Sequence, residues 1–139
     1  MKSLKQNRNP FLSLKRLIYF VMSVIALSIY VMQKQNIALP PLINNYVNDL
    51  LCLPLVLGAI TFMIRCLKKD NSFMLPMRII LCMAAFYSFY FEYYLPELNP
   101  RYTADWIDVL LYFTGALAFY FVENPNEISK LFKRKTHLL

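Results

Sequence analysis

Four runs of apolar residues, each near the length that crosses a bilayer, decide what this chain can fold into. The first, Leu17 to Met32, reads LIYFVMSVIALSIYVM and carries no charge. It is slightly short of the roughly 20 residues a helix needs to cross the hydrocarbon core. The second runs from about Tyr46 to Ile64, the third from about Phe73 to Leu95 and the fourth from about Trp106 to Val122. Inside lipid a segment must satisfy its own backbone N–H and C=O groups, so such runs fold as helices. Composition agrees. Of 139 residues, 58% are hydrophobic and only two are glycine, and a soluble domain of this length has too little interior for so much apolar side chain. The expected fold is all-α, a polytopic membrane protein built as a four-transmembrane-helix bundle. A basic N-terminal segment (1–16) precedes the transmembrane domain (17–122), and a basic tail (123–139) follows it.

Local signals refine these spans. A basic segment followed by an apolar run also describes a cleavable signal peptide. Gln33, Lys34, Gln35 and Asn36 follow the run, however, and offer no small-residue cleavage site, so span 1 reads as an uncleaved helix. Pro54 falls in the middle of span 2 and predicts a kink there. Asn44, Asn45 and Asn48 are available to cap span 2, and Asn71 or Ser72 to cap span 3. Pro96 is expected to end span 3, because the residue before a proline avoids the helical region.

Charge orients the bundle. Of the 15 basic residues, thirteen flank the N-terminus of span 1, the loop between spans 2 and 3, and the C-terminus of span 4. Only Lys34 and Arg101 fall in the other two loops. Because Lys and Arg stay on the cytoplasmic side, both termini are expected inside. The net charge of +7 is then a topology signal and not a nucleic-acid footprint. The tail, EISKLFKRKTHLL, reads equally as a segment lying on anionic lipid or as a solvated one. The carboxylates divide the other way. Asp49, Glu92, Glu97, Asp105 and Asp108 fall on the outer side, while Asp70, Glu123 and Glu127 fall inside. Tyr93, Tyr94, Tyr102 and Trp106 match an interfacial aromatic belt at the outer level.

Taken singly, several outer carboxylates are helix-end residues. Asp49 and Asp108 lie near the N-terminal ends of spans 2 and 4, and Asp105 is placed to cap span 4. Glu92 is different, because it lies near a helix C-terminus, where the dipole disfavours an anion. Its expected partner is Arg101 or a bound cation. Asp105, Asp108, Tyr112 and Gly115 recur at helical steps and share one face of span 4, with Gly115 and Ala116 allowing close helix approach. Together these features predict an outward-open pocket lined by Asn48, Asp49, Glu92, Arg101, Asp105, Asp108 and Tyr112. Glu92, Asp108 and Asp49 are candidate ligands for a hard ion such as Mg²⁺ or Ca²⁺. The inner half carries no matching charged site in this reading.

Glu92, then Arg101, then DWIDVLLYFTG resembles the closing segment of the VanZ-like family. That family carries a Glu, an Arg, an Asp-x-x-Asp, and then an Asn and a Gly further along the same helix. Glu92, Arg101, Asp105, Asp108 and Gly115 match the pattern; Tyr112 stands where the family has Asn, and Phe119 where a second Gly is common. Asn48 and Pro54 resemble an Asn and a Pro in an earlier span. The likeness covers about half the chain. It implies a small multi-pass protein of the bacterial cytoplasmic membrane, in a family whose namesake is linked to teicoplanin resistance.

Other chemistry is sparse. His137 is the single histidine and lies in the tail; Cys52, Cys66 and Cys82 form no CxxC and read as packing residues. No P-loop, GxSxG or HExxH occurs, so an enzyme is not expected. Two functions are left in competition. One is a binding protein whose outer rim engages an envelope lipid, a glycan or an antibiotic headgroup. The other is a small transporter for a divalent cation, or for a cation complexed with a small carboxylate such as citrate. The chain lacks an internal repeat, so a transporter of this size is expected to work as a homodimer.

Overall fold

The computed structural model describes residues 10–100 and 103–136, all of whose regular elements are helical. The helices are α1 (Pro10–Lys34), α2 (Asn48–Lys68), α3 (Met77–Phe89), the short α4 (Leu95–Leu98), α5 (Trp106–Glu123) and α6 (Pro125–Thr136). Four stretches are long and apolar enough to cross a membrane: Ser13–Lys34, Ile43–Lys68, Met77–Leu98 and Trp106–Glu123. These are spans 1 to 4, and the protein is a multi-pass helical membrane protein.

The span boundaries shift for identifiable reasons. Span 2 begins before α2, because residues 41–42 are already helical and Ile43–Val47 forms a wide π-turn leading into it. Asn44, Asn45 and Asn48 therefore do not cap it. Asn44 instead accepts from the Gln33 amide at the end of α1, through its carbonyl (2.8 Å) and its side-chain oxygen (3.1 Å). Span 3 starts at Met77, with extended Pro76 at its N-cap, and neither Asn71 nor Ser72 caps it. Leu75 precedes a proline and is kept out of the helix, which sets the start four residues later than expected. Ser72 turns back to Asp70, donating from both its backbone and its hydroxyl, and these bonds hold the Asp70 carboxyl below its ordinary range.

Pro96 does not end span 3 either. The π-turn Tyr90–Tyr94 carries the chain through, and Pro96 sits in the first turn of α4, where a missing N–H costs little. The helix stops at extended Asn99, which precedes Pro100. At the other limits, α1 takes in residues 10–16 and Glu123 belongs to span 4, not to the tail.

Spans 2, 3 and 4 form the centre. Leu53 and Leu57 of α2, Ile80 and Ala84 of α3, and Tyr112, Ala116 and Phe119 of α5 make one buried cluster. Span 1 is peripheral: 6% of its apolar window is buried against 28% for span 4. Tyr93, Tyr94 and Trp106 are exposed, as an aromatic belt requires.

Both glycines serve helix contacts. A Cβ on Gly115 would lie 2.7 Å from the Leu50 carbonyl and 2.9 Å from Pro54 Cδ. The two observations belong together. Pro54 has no N–H to give, so the Leu50 carbonyl, four residues earlier, loses its intrahelical partner. Gly115 brings the backbone of α5 against that carbonyl, close enough for a weak Cα–H···O contact inside the bundle. Gly58 does the same for span 1, since its Cβ would meet the Tyr19 ring at 2.7 Å.

Candidate functional site

At the acidic end, side chains from three spans converge. Asp105 caps α5, accepting from the Ile107 N–H at 3.0 Å, as its position before an apolar helix predicts. Asp105→Ala is expected to cost about 1 kcal/mol of stability by loss of this cap, read as a lowered Tm in detergent. Tyr46 donates to the other Asp105 oxygen at 3.5 Å, which ties span 2 to the start of span 4. Glu92 Oε2 accepts from the Asp105 N–H at 2.6 Å. This backbone donor, beside the N-terminus of α5, compensates the Glu92 anion and ties span 3 to span 4. Arg101 lies outside the described residues, and so does its pairing with Glu92.

Asp49 is not a helix-end residue. The helical turns ahead of it leave its own N-terminus some two turns away, and Tyr112 donates to its Oδ1 at 3.4 Å. Tyr112 is itself buried, with its ring against Tyr87 and Phe91. Asp108, in the first turn of α5, lies within electrostatic range of Asp49, Glu92 and Asp105. Asp108 Oδ1 and Asn48 Oδ1 are both shielded and have no hydrogen-bond partner among the described residues. Beside this cluster, Glu92, Tyr93, Ala104, Asp105, Trp106 and Val109 line a cavity of about 240 Å³. Among the described residues, no three His, Cys, Asp or Glu side chains come together as a metal-binding group.

The basic end holds a second charged cluster, contrary to the reading that the inner half has none. Glu123, the last residue of α5, is buried, and each of its carboxylate oxygens has a partner. Oε1 accepts from the Tyr19 hydroxyl at 3.0 Å, while Oε2 accepts from Arg65 Nη2 at 2.8 Å and Lys15 Nζ at 3.2 Å. Lys15 also caps the helix, donating to the Glu123 carbonyl at 2.8 Å. Arg65 in turn grips the loop after span 2, with Nε and Nη2 donating to the Phe73 carbonyl at 2.9 and 2.7 Å. A signal for this site was present in the sequence. A carboxylate at the C-terminal end of an apolar helix demands a positive partner, and Glu123 meets that description as fully as Glu92 does.

Spans, acidic rim and basic cluster together define a multi-pass helical membrane protein with a charged constellation at each end of its central helices. No protein-family model, curated protein or solved structure matches the chain.

Proposed function

We propose that this is an integral protein of the bacterial cytoplasmic membrane, of VanZ-like type, whose acidic end binds a headgroup rich in hydrogen-bond donors. The headgroup belongs to an envelope lipid, a glycan or an antibiotic. The observation that carries this reading is the convergence of Asp49, Glu92, Asp105 and Asp108 from three spans, with Asp108 Oδ1, like Asn48 Oδ1 in span 2, left without a partner among the described residues. A shielded acceptor without a donor is costly. An ammonium or a set of hydroxyls supplies the donors. The family likeness rests on Glu92, Arg101, Asp105, Asp108 and Gly115. The basic asymmetry supports an orientation with both termini cytoplasmic and the acidic end outside.

Trp106 is the single tryptophan and lines the cavity, so its fluorescence reports binding there. The test titrates an amine-headed lipid, a glycolipid and teicoplanin against the nanodisc-held protein. At least one ligand is expected to shift the emission, and Asp108→Asn is expected to weaken it about tenfold, the effect of one charge-assisted hydrogen bond. Identical titrations for wild type and Asp108→Asn would end the proposal. Orientation is checked by single cysteines in a cysteine-free background. A cysteine at Glu97 should label from outside intact cells and one beside Lys68 should not; the reverse pattern inverts the topology.

The basic cluster favours a second reading, because a transporter needs charged groups near both faces. In that reading a divalent cation or its carboxylate complex crosses from one charged end to the other, and Mg²⁺–citrate flux into proteoliposomes separates it from binding alone.

A further inference from the structure

The basic cluster contains more positive charge than its own ion pairs consume. A crevice of about 100 Å³ opens there, lined among others by Lys15, Arg16 and Tyr19 of span 1, Gly58 and Arg65 of span 2, and Glu123 at its back. Three cations face one carboxylate, so the lining carries a surplus of two positive charges. The donors are also in surplus. Arg65 has five N–H groups, of which the bonds to Phe73 and Glu123 engage Nε and both hydrogens of Nη2. The two on Nη1 have no partner among the described residues. Lys15 uses two of its three donors on Glu123. Arg16 is exposed and makes no ion pair among the described residues. On the acceptor side, each Glu123 oxygen already has a partner. Such a lining has more to offer an oxyanion than a cation.

Its depth points to the kind of oxyanion. The residues lie at the ends of spans 1 and 2, the level at which lipid headgroups lie, and the exposed Phe62 ring sits at the crevice mouth. Basic pockets between transmembrane helices at this level hold anionic headgroups. We propose that the crevice between spans 1 and 2 binds a phosphate group, with Arg16, the third Lys15 donor and Arg65 Nη1 as its donors, and that an anionic phospholipid supplies this phosphate. The pre-existing bonds to Glu123 hold Lys15 and Arg65 in place, so the site is organised before the phosphate arrives. Gly58 contributes by letting the Tyr19 ring lie flat enough on α2 to reach Glu123.

Native mass spectrometry of the full chain, released from detergent, tests this with dioleoylphosphatidylglycerol, dioleoylphosphatidylcholine and inorganic phosphate as probes. The glycerol lipid is expected to bind more tightly than the choline lipid, whose headgroup brings its own cation. Arg16→Gln, which disturbs none of the ion pairs, should weaken phosphatidylglycerol binding about fivefold, the effect of one basic residue on an anionic lipid. Lys69→Gln removes a charge from the same end but outside the crevice, and should leave binding unchanged. If inorganic phosphate binds and is lost in Arg16→Gln while the lipid is indifferent, the phosphate site stands and its source is soluble. Equal binding of the two lipids with no phosphate binding overturns the proposal. So does an equal loss in Arg16→Gln and Lys69→Gln, which reduces the effect to diffuse charge.

Discussion

Arg65→Ala is expected to destabilise the folded protein by about 3–5 kcal/mol, the largest single-residue effect outside the apolar core. The reason is what it leaves behind. The Glu123 side chain is 3% exposed and Arg65 is 16% exposed, so removing the guanidinium takes the shortest ion-pair partner from a carboxylate that is almost wholly shielded from water. Lys15 and Tyr19 remain, but Lys15 is already shared between the Glu123 carboxylate and its carbonyl. The Phe73 carbonyl loses two donors at the same time, which frees the loop that leads into span 3. The pair is not expected to be worth this much against an apolar alternative. Breaking a buried pair is costly, whereas replacing both members by apolar residues of similar size is often neutral. Arg65→Met combined with Glu123→Leu should therefore recover part of the loss, leaving as the residual the unpaired Phe73 carbonyl, the Tyr19 hydroxyl without its acceptor and Lys15 with only the Glu123 carbonyl. Equilibrium unfolding of wild type, Arg65→Ala and the double variant in mixed micelles measures both effects. A change within about 0.5 kcal/mol for Arg65→Ala, the scale of an ordinary surface substitution, would show that Glu123 is hydrated.

Substitution of Gly115 should have the second large effect. Its Cβ would lie within 3 Å of the Leu50 carbonyl and of Pro54, a backbone atom and a ring atom, neither of which can swing aside. Gly115→Ala must push α5 away from α2, and overpacking of this kind costs about 1–3 kcal/mol. Gly115→Val, bulkier and β-branched, should cost more and reduce folded yield. Gly58→Ala is the informative comparison. Its Cβ would come equally close to a neighbour, but that neighbour is the edge of the Tyr19 ring, a side chain. The ring can rotate, at the expense of its bond to Glu123, so Gly58→Ala should be milder than Gly115→Ala. Thermal unfolding in detergent orders the three variants. If Gly58→Ala proves the more harmful, the α2–α5 contact is looser than described and the span 1 contact is the tighter one.

The carboxylates show how far residue chemistry can be read without a structure. Asp105 as a cap was legible because the signal is local: an Asp just ahead of an apolar helix finds its donors within two residues. Gly115 as a point of close approach was legible from helical periodicity. The partner of Glu92 was not, because the compensating group is a backbone N–H thirteen positions away, which no residue type announces. Asp49 looks like a helix-end group only because the apolar run of span 2 starts near Tyr46, whereas the chain is already helical from residue 41. Pro96 departs from expectation for a related reason. Pro96 is accommodated because a π-turn precedes it, and whether a wide turn forms there depends on how spans 3 and 4 pack. Glu123 falls among the inner-side charges by position, although its place at a helix C-terminus carries the same demand as that of Glu92.

By itself, then, the sequence determined that this protein is a bundle of four membrane-crossing helices, because lipid leaves a long apolar segment no other way to satisfy its backbone. It also determined which ends of those helices are acidic and which are basic. What only the tertiary structure decided is which charges meet. Lys15, Tyr19, Arg65 and Glu123 come from three spans separated by up to 108 positions. Their meeting depends on Gly58 admitting the Tyr19 ring and on α5 ending level with the start of span 1. Apolar periodicity specifies that a helix turns a face inward; it does not specify which helix it will face. That choice is made by close packing at a few small residues and by the need of each buried charge for a partner.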